Sequence, residues 1–131
     1  MRFYTTQHQF YCGIDVHVDW MDCCVIDADG EVRVPKNIRP NPTAFRHALQ
    51  PFREAVVVCV AGLFTWSWLA DLCEDDGIPC VLGHAIYMRA MHGGNAKHDG
   101  IDSHKIAALL RGGLIPQAYV YPRRKRATRD L

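Results

Sequence analysis

Several features that would set this chain apart from ordinary globular proteins are missing from its sequence. No apolar stretch approaches the roughly 20 residues that a membrane-spanning helix needs, and the polar N-terminus lacks a secretory signal. Internal repeats and low-complexity linkers are also missing. The 131 residues are 49% hydrophobic, which is enough for one domain with a real core and argues against a disordered chain. We therefore expect a cytoplasmic domain without a membrane segment.

The cysteines lack the spacing of metal-binding or disulfide-rich proteins. They lie mostly inside apolar runs, and no two of them form a CxxC pair. Such a pattern is typical of buried thiols in a reducing cytoplasm, and it argues against both zinc binding and disulfide bonds. The positions are Cys12, Cys23, Cys24, Cys59, Cys73 and Cys80.

The chain has little net charge, only +1, but this charge is unevenly distributed. Residues 122–131 carry a net charge of +4, from five basic side chains and one acidic side chain, and the rest of the chain carries −3. A basic end beside a neutral to acidic body suits a phosphate-binding arm next to a metal site, although a solvated terminal segment has the same composition. The basic side chains are Arg123, Arg124, Lys125, Arg126 and Arg129.

Hydrophobic periodicity predicts a succession of strands and helices. A meander of three strands followed by alternating helices and strands is the order of the ribonuclease H-like fold, in which the first strand is central. The predicted fold class is therefore α/β, a ribonuclease H-like mixed sheet with helices on both faces. The predicted strands are 10–16, 21–27, one beginning at 31, 55–61, 79–82 and 118–121, and the predicted helices are one opening at 40–43 with Thr43 as its cap, 65–76 and 102–110.

Three aspartates are the strongest candidates for chemistry. Asp15 ends the first predicted strand, and Asp99 and Asp102 have a spacing that places two side chains on one helix face. Carboxylates that converge from a strand and a late helix can bind divalent cations for two-metal phosphoryl transfer. Taken singly, the same residues fit a strand end and helix caps. His17, beside Asp15, fits a solvated strand-end side chain better than a DNA or metal contact.

Five motifs, taken together and in order, resemble a known protein family. The chain is similar to the N-terminal domain of the DEDD-type insertion-sequence transposases related to the Piv/MooV DNA invertases, the insertion-sequence one-hundred-and-ten family. The resemblance runs from about residue 11 to residue 131, which is nearly the whole chain. The motifs occupy residues 13–17, 64–71, 82–85, 97–113 and 116–122.

The resemblance implies four acidic residues, Asp, Glu, Asp and Asp, that hold Mg²⁺ or Mn²⁺ for strand chemistry on DNA. Asp15 matches the first acid, Asp99 the third and Asp102 the fourth. The Glu is expected at the end of the strand 55–61, where this sequence has Ala61. Because only three carboxylates remain, we expect this form of the domain to be inactive.

The resemblance also implies a domain organisation and partners. We expect a flexible N-terminus (1–9), a RuvC-like domain (10–122) and the basic start of a helical connection (123–131). Family members continue into a C-terminal domain with a catalytic serine, and some use a structured guide RNA. DNA is the expected partner in a bacterial cytoplasm, and Lys105, close to Asp102, is expected to contact phosphate.

A second function remains open at this point. The same fold can serve as a non-catalytic domain for nucleic-acid binding or oligomerisation. A domain without its companion domain would expose apolar area, which favours a homo-oligomer. Dependence of stability on Mg²⁺ or Mn²⁺ would separate the two functions.

Overall fold

The fold is organised around one seven-stranded mixed sheet with the order β1-β7-β6-β5-β2-β3-β4. The computed structural model describes residues 2–17, 19–60, 67–83 and 102–119. The strands are β1 (Phe3–Tyr4), β2 (Phe10–Val16), β3 (Met21–Asp27), β4 (Val32–Ile38), β5 (Val56–Val60), β6 (Cys80–Gly83) and β7 (Ile115–Tyr119).

Helices occupy the connections after the β2–β3–β4 meander. In the described part of the chain they are α1 (Pro42–Leu49), α2 (Ser67–Asp76) and α3 (Ser103–Arg111), and a 3₁₀ turn (Gln50–Phe52) follows α1. None of the helices within these ranges is both long and apolar enough to cross a bilayer.

Strand β2 is central, as the sequence predicts. It pairs antiparallel with β3, which pairs antiparallel with β4, and it pairs in parallel with β5 on its other side. Strand β5 continues in parallel to β6, and β7 then runs antiparallel to β6. The meander beside parallel crossover strands is the ribonuclease H-like arrangement, so the predicted fold class is confirmed.

The sheet buries both of its faces, since strand side chains alternate between them. On one face, α1 and α2 cover a core that includes Ile14, Phe45 and Leu69. On the other face, α3 packs its apolar side against a second core that includes Tyr11 and Ile106. Helices therefore lie on both faces, and β5, whose residues are all buried, is covered from both sides.

Several local predictions differ from the structure. Helix α1 is capped by Asn41, whose side chain accepts from the Ala44 amide at 2.8 Å, and the prediction of Thr43 as the cap is wrong. Asn41 also precedes a proline at the first helical position, where the missing amide costs nothing. Strand β7 begins earlier than predicted, at Ile115, and β1 was not predicted because two residues carry no periodic signal.

The cysteines are free thiols, as predicted. Five are buried and Cys80 is partly buried. The Sγ atoms of Cys12 and Cys23 lie 3.4 Å apart in the core beneath α1 and α2. The five buried cysteines thus serve as small apolar groups within the two cores.

Candidate active site

The candidate site is built by the close approach of α3 to β2 at Gly13. A Cβ atom at this position would meet the carbonyl oxygen of Ser103 and would lie 2.5 Å from the amide nitrogen of Ala107. Only glycine therefore lets the helix backbone rest directly on the strand. Because strand side chains alternate, Asp15 emerges two residues later on this same face, beside the N-terminus of α3.

Asp102 is the N-cap of α3. Its backbone is extended, with φ −72° and ψ 164°, and its Oδ1 accepts from the Lys105 amide at 2.8 Å. The capping interpretation of Asp102 is thus correct, and the cap also fixes this carboxylate at the positive end of the helix dipole. One carboxylate oxygen is used by the helix, which leaves Oδ2 for a further partner.

Asp15 occupies a half-buried and electrostatically crowded position. Burial raises the pKa of its carboxyl group above the usual value, His17 opposes this shift, and the charges of Asp22 and Asp102 raise the pKa further. The Asp15 side chain is 19% exposed, and its Oδ2 lies 3.1 Å from Nε2 of His17. Ionisation of Asp15 is therefore less favourable here than in solvent, and a nearby positive charge would offset this penalty.

His17 is held between Asp15 and an aromatic neighbour. Its ring stacks on Trp20, with centroids 3.9 Å apart and planes inclined by 25°, and its amide donates to the Trp20 carbonyl at 2.9 Å. The side chain of His17 is 40% exposed. It is thus a strand-end residue in contact with solvent, as predicted, but it also contacts the candidate catalytic Asp15.

Asp22 is a further carboxylate at this site, and the sequence analysis missed it. It is the direct cross-strand partner of Asp15 in the β2–β3 pairing, and its Oδ2 accepts from the Ser103 amide at 3.3 Å. The signal was present, because the predicted strand bounds match β2 and β3, and the hairpin they form pairs Asp15 with Asp22. The nearby Cys24 is not a candidate nucleophile, since burial raises the pKa of its thiol to about 11.

The structure brings together only part of the predicted site. Asp15 and Asp102 lie near enough for their charges to interact, and Lys105 is exposed in the first turn of α3. The β2–β5 pairing ends with Ile14 opposite Val60. The predicted residues that lie outside the described part of the chain are Asp99, Ala61, Arg123, Arg124, Lys125, Arg126 and Arg129.

The donors fit the chemistry of a divalent cation, but the described set is partial. Carboxylate oxygens are the ligands that Mg²⁺ prefers, and Asp15 and Asp102 supply them from two elements that pack directly together. Within the described ranges, no group of three or more His, Cys, Asp or Glu residues is placed to hold an ion. Asp99, predicted to complete the set, is not among the described residues.

A family comparison decides what kind of protein carries this site. The model of the DEDD transposases of the IS110 type, described as a transposase, matches residues 12–131. The chain belongs to this transposase family. The transposase family was the one predicted from the motifs, so that prediction is confirmed.

Solved structures similar to this transposase domain include two of RuvC. RuvC of Thermus thermophilus in complex with a Holliday junction substrate has 16% sequence identity and a TM-score of 0.49, and the match covers 84% of this chain and 99% of that chain. A second Thermus thermophilus RuvC structure has 13% identity and a TM-score of 0.44, with 90% of this chain and 87% of that chain covered. No curated protein sequence matches the chain.

Proposed function

We propose that this domain is the N-terminal catalytic domain of a DNA transposase or recombinase, with a site built for Mg²⁺- or Mn²⁺-dependent phosphodiester strand transfer. The observation that carries the proposal is the placement of Asp102 by the N-terminus of α3 beside the half-buried Asp15. Carboxylates in such a position repel one another, and a divalent cation between them would remove the repulsion.

The residues of the candidate site have separate roles in this proposal. Asp15 and Asp102, together with Asp99, would hold the cation, which when bound activates the attacking oxygen and stabilises the departing one. His17 orients Asp15 through the 3.1 Å contact between Nε2 and Oδ2. Lys105, exposed in the first turn of α3, is available to a DNA phosphate.

The proposal extends to the setting in which the domain acts. DNA is the substrate, and a bacterial cytoplasm is the expected location. The five basic side chains of residues 123–129 would contact phosphates along the substrate. A guide RNA and a homo-oligomer are further expected partners of the full-length protein.

Metal binding is the first test of the proposed function. Mn²⁺ should raise the melting temperature of the chain, and Asp102→Asn should remove this rise, because asparagine keeps the helix cap but not the charge. Asn41→Ala is the matched control, since it removes the cap of α1, far from the site, and should leave the Mn²⁺ effect intact.

Two results would contradict the metal site. One is the absence of any Mn²⁺ effect on the melting temperature of the wild-type chain, and the other is an equal effect in Asp102→Asn. Either result would favour a non-catalytic domain for nucleic-acid binding or oligomerisation.

Ala61 provides the second test. Because a Glu is expected where Ala61 stands, Ala61→Glu should add a ligand and tighten Mn²⁺ binding, measured by calorimetry. In a full-length protein the same change should raise strand-transfer activity. Glu54, an existing acid at the other end of β5, gives the control, and Glu54→Gln should leave Mn²⁺ affinity unchanged. A full-length chain with Ala61 that recombined DNA as well as its Ala61→Glu counterpart would show that the position is wrong.

A further inference from the structure

We infer that Asp22 is a positioning residue of the acidic site, which fixes the N-terminal turn of α3 so that Asp102 faces Asp15. The inference rests on the proposed function. It assigns a role to a carboxylate outside the Asp, Glu, Asp and Asp set, and it starts from the hydrogen bond of the Ser103 amide to Asp22 Oδ2 at 3.3 Å.

Two carboxylates each accept a hydrogen bond from one backbone amide at the start of α3. The first four amides of a helix have no partner within the helix. Asp102, from the helix's own cap position, accepts from Lys105 at 2.8 Å, whereas Asp22, from strand β3, accepts from Ser103. Asp22 thus links the helix start to the sheet, which a cap within the helix cannot do.

The pairing of β2 with β3 places this link beside the site. Asp22 on β3 lies directly opposite Asp15 on β2. The register of these two strands is therefore fixed, and with it the position of the tie to α3 relative to Asp15. Gly13 sets the separation of α3 from the sheet, because the helix backbone rests on it. Gly13 supports the first turn from the β2 side through the Ser103 carbonyl, and the bond from the Ser103 amide to Asp22 adds a second, directional tie to β3.

The negative charge of Asp22 is unfavourable for the sheet alone. Like charges directly opposite each other in a sheet are unfavourable, and Asp22 and Asp15 form such a pair. An asparagine would accept the same hydrogen bond without this repulsion. The negative charge is nonetheless compatible with a site that holds a cation, where it would add to the attraction without direct coordination.

Ser103→Pro is the sharpest test, because it removes the donor and leaves both carboxylates in place. Ser103 is the first residue of α3, where proline is favoured. Asp102 has φ −72° and ψ 164°, a conformation that is allowed before proline. Ser103→Ala, which keeps the amide, is the matched control.

The first measurement is Mn²⁺ affinity by calorimetry on the full 131-residue chain. Ser103→Pro and Asp22→Ala should each weaken binding by about 10- to 100-fold, as loss of residues that orient metal ligands does. The double variant should bind Mn²⁺ no more weakly than either single variant, since both changes remove the same bond.

Asp22→Asn should lose less than about tenfold in Mn²⁺ affinity, since asparagine retains an acceptor. Asp29→Ala, an exposed acid on the β3–β4 turn, should bind Mn²⁺ as the wild type does.

The second measurement is amide hydrogen exchange without metal. In Asp22→Ala, exchange at Ser103 should accelerate while the Lys105 amide stays protected by Asp102. This pattern shows a helix that is folded but no longer tied to β3. It does not depend on the proposed metal site, so failure of Mn²⁺ binding in the wild type would contradict the proposed function alone.

Three outcomes would overturn the inference. Unchanged exchange at Ser103 in Asp22→Ala would show that the bond does not hold the helix. Unchanged Mn²⁺ affinity in both Ser103→Pro and Asp22→Ala would show that the tie does not matter to the site. Equal losses in Asp22→Asn and Asp22→Ala, with no loss in Ser103→Pro, would assign the effect to charge instead of position.

Discussion

At the scale of single residues, Asp27 is a carboxylate with several hydrogen-bond donors that lies away from the site, where β3 ends and the turn to β4 begins. Asp27 is 9% exposed, and its Oδ1 accepts from the amides of Asp29 at 2.9 Å and Glu31 at 3.0 Å. Its Oδ2 accepts from Nε of Arg33 at 3.1 Å. Asp15 has the opposite environment. Hydrogen-bond donors surround the Asp27 carboxylate, whereas the carboxylates of Asp22 and Asp102 lie near that of Asp15.

This environment predicts a pH dependence of stability. The Glu31 amide, with Arg33 and the Asp29 amide, lowers the pKa of Asp27 below the ordinary value of 3.8. The unfolded chain therefore binds this proton first as the pH falls, so the stabilisation is present above pH 3.8 and is lost as the pH falls through the lower folded pKa. Asp27→Ala should lower the melting temperature at pH 7, and the difference from wild type should shrink in more acidic buffers.

Asp29→Asn is the control for the pH experiment, because Asp29 is exposed in the same turn. It should leave the melting temperature near that of the wild type across the pH series. A deficit in Asp27→Ala that persisted unchanged in the most acidic buffer would contradict the assignment of the effect to ionised Asp27.

At the scale of elements, the packing of α3 on β2 determines whether a site exists. Gly13→Ala should destabilise the chain by about 1–3 kcal/mol, the usual cost of overpacking, because the added Cβ meets the helix backbone at Ser103 and Ala107. The displaced helix should also weaken Mn²⁺ binding. Urea denaturation and calorimetry measure these two effects.

Gly112→Ala is the matched control at the other end of α3. A Cβ there would have no neighbour nearer than 3.5 Å, and φ is −78°, so alanine fits without strain. We expect stability to be unchanged or to rise by up to about 1 kcal/mol. Equal losses in both variants would mean that a general sensitivity of the fold to an added methyl group, and not contact at Gly13, explains the result.

Elements also show what the sequence could and could not predict. The bounds of β2 and β3 were predicted correctly because their apolar runs are long and end at polar turns. Asp15 and Asp102 were named as candidates because motif and spacing marked them. Asp22 was missed because its residue type and position within a strand are not distinctive. The predicted strand bounds imply its pairing with Asp15, but its contact with α3 arises only in the folded chain. Similarly, the cap of α1 is Asn41 and not the predicted Thr43, because backbone geometry, and not residue type alone, decides between two polar residues that lie on either side of Pro42.

At the scale of the whole molecule, charge is divided between an acidic body and a basic end. Residues 123–129 should bind nucleic acid weakly and without sequence preference. Five phosphate contacts imply a log–log salt slope of about −3.5 to −4.5. Removal of residues 123–131 should abolish most of the affinity and flatten the slope, as measured by fluorescence anisotropy at several salt concentrations.

The control for the tail experiment keeps its length and changes its charge. Replacing the five basic side chains with glutamine should have the same effect as removing the segment, if charge is the cause. A shortened chain that bound DNA as tightly, with the same salt dependence, would place the binding surface near Lys105 and Asp15 instead.

The buried cysteines lie on both faces of the sheet, so chemical labelling of these thiols can report on each face separately. Cys12, Cys23 and Cys73 lie in the core beneath α1 and α2, and Cys24 and Cys59 lie in the core beneath α3. Alkylating reagents attack the thiolate. The hydrogen bond with Cys23 and burial raise the pKa of the Cys12 thiol, and burial raises the pKa of the Cys59 thiol, so modification in either core requires local opening. The alkylation rate of each thiol therefore reports the free energy of opening of its own helix layer. Loosening of α3 would accelerate labelling of Cys24 and Cys59 while Cys12 stayed protected, so the wild-type thiols can distinguish a displaced helix from an unfolded protein.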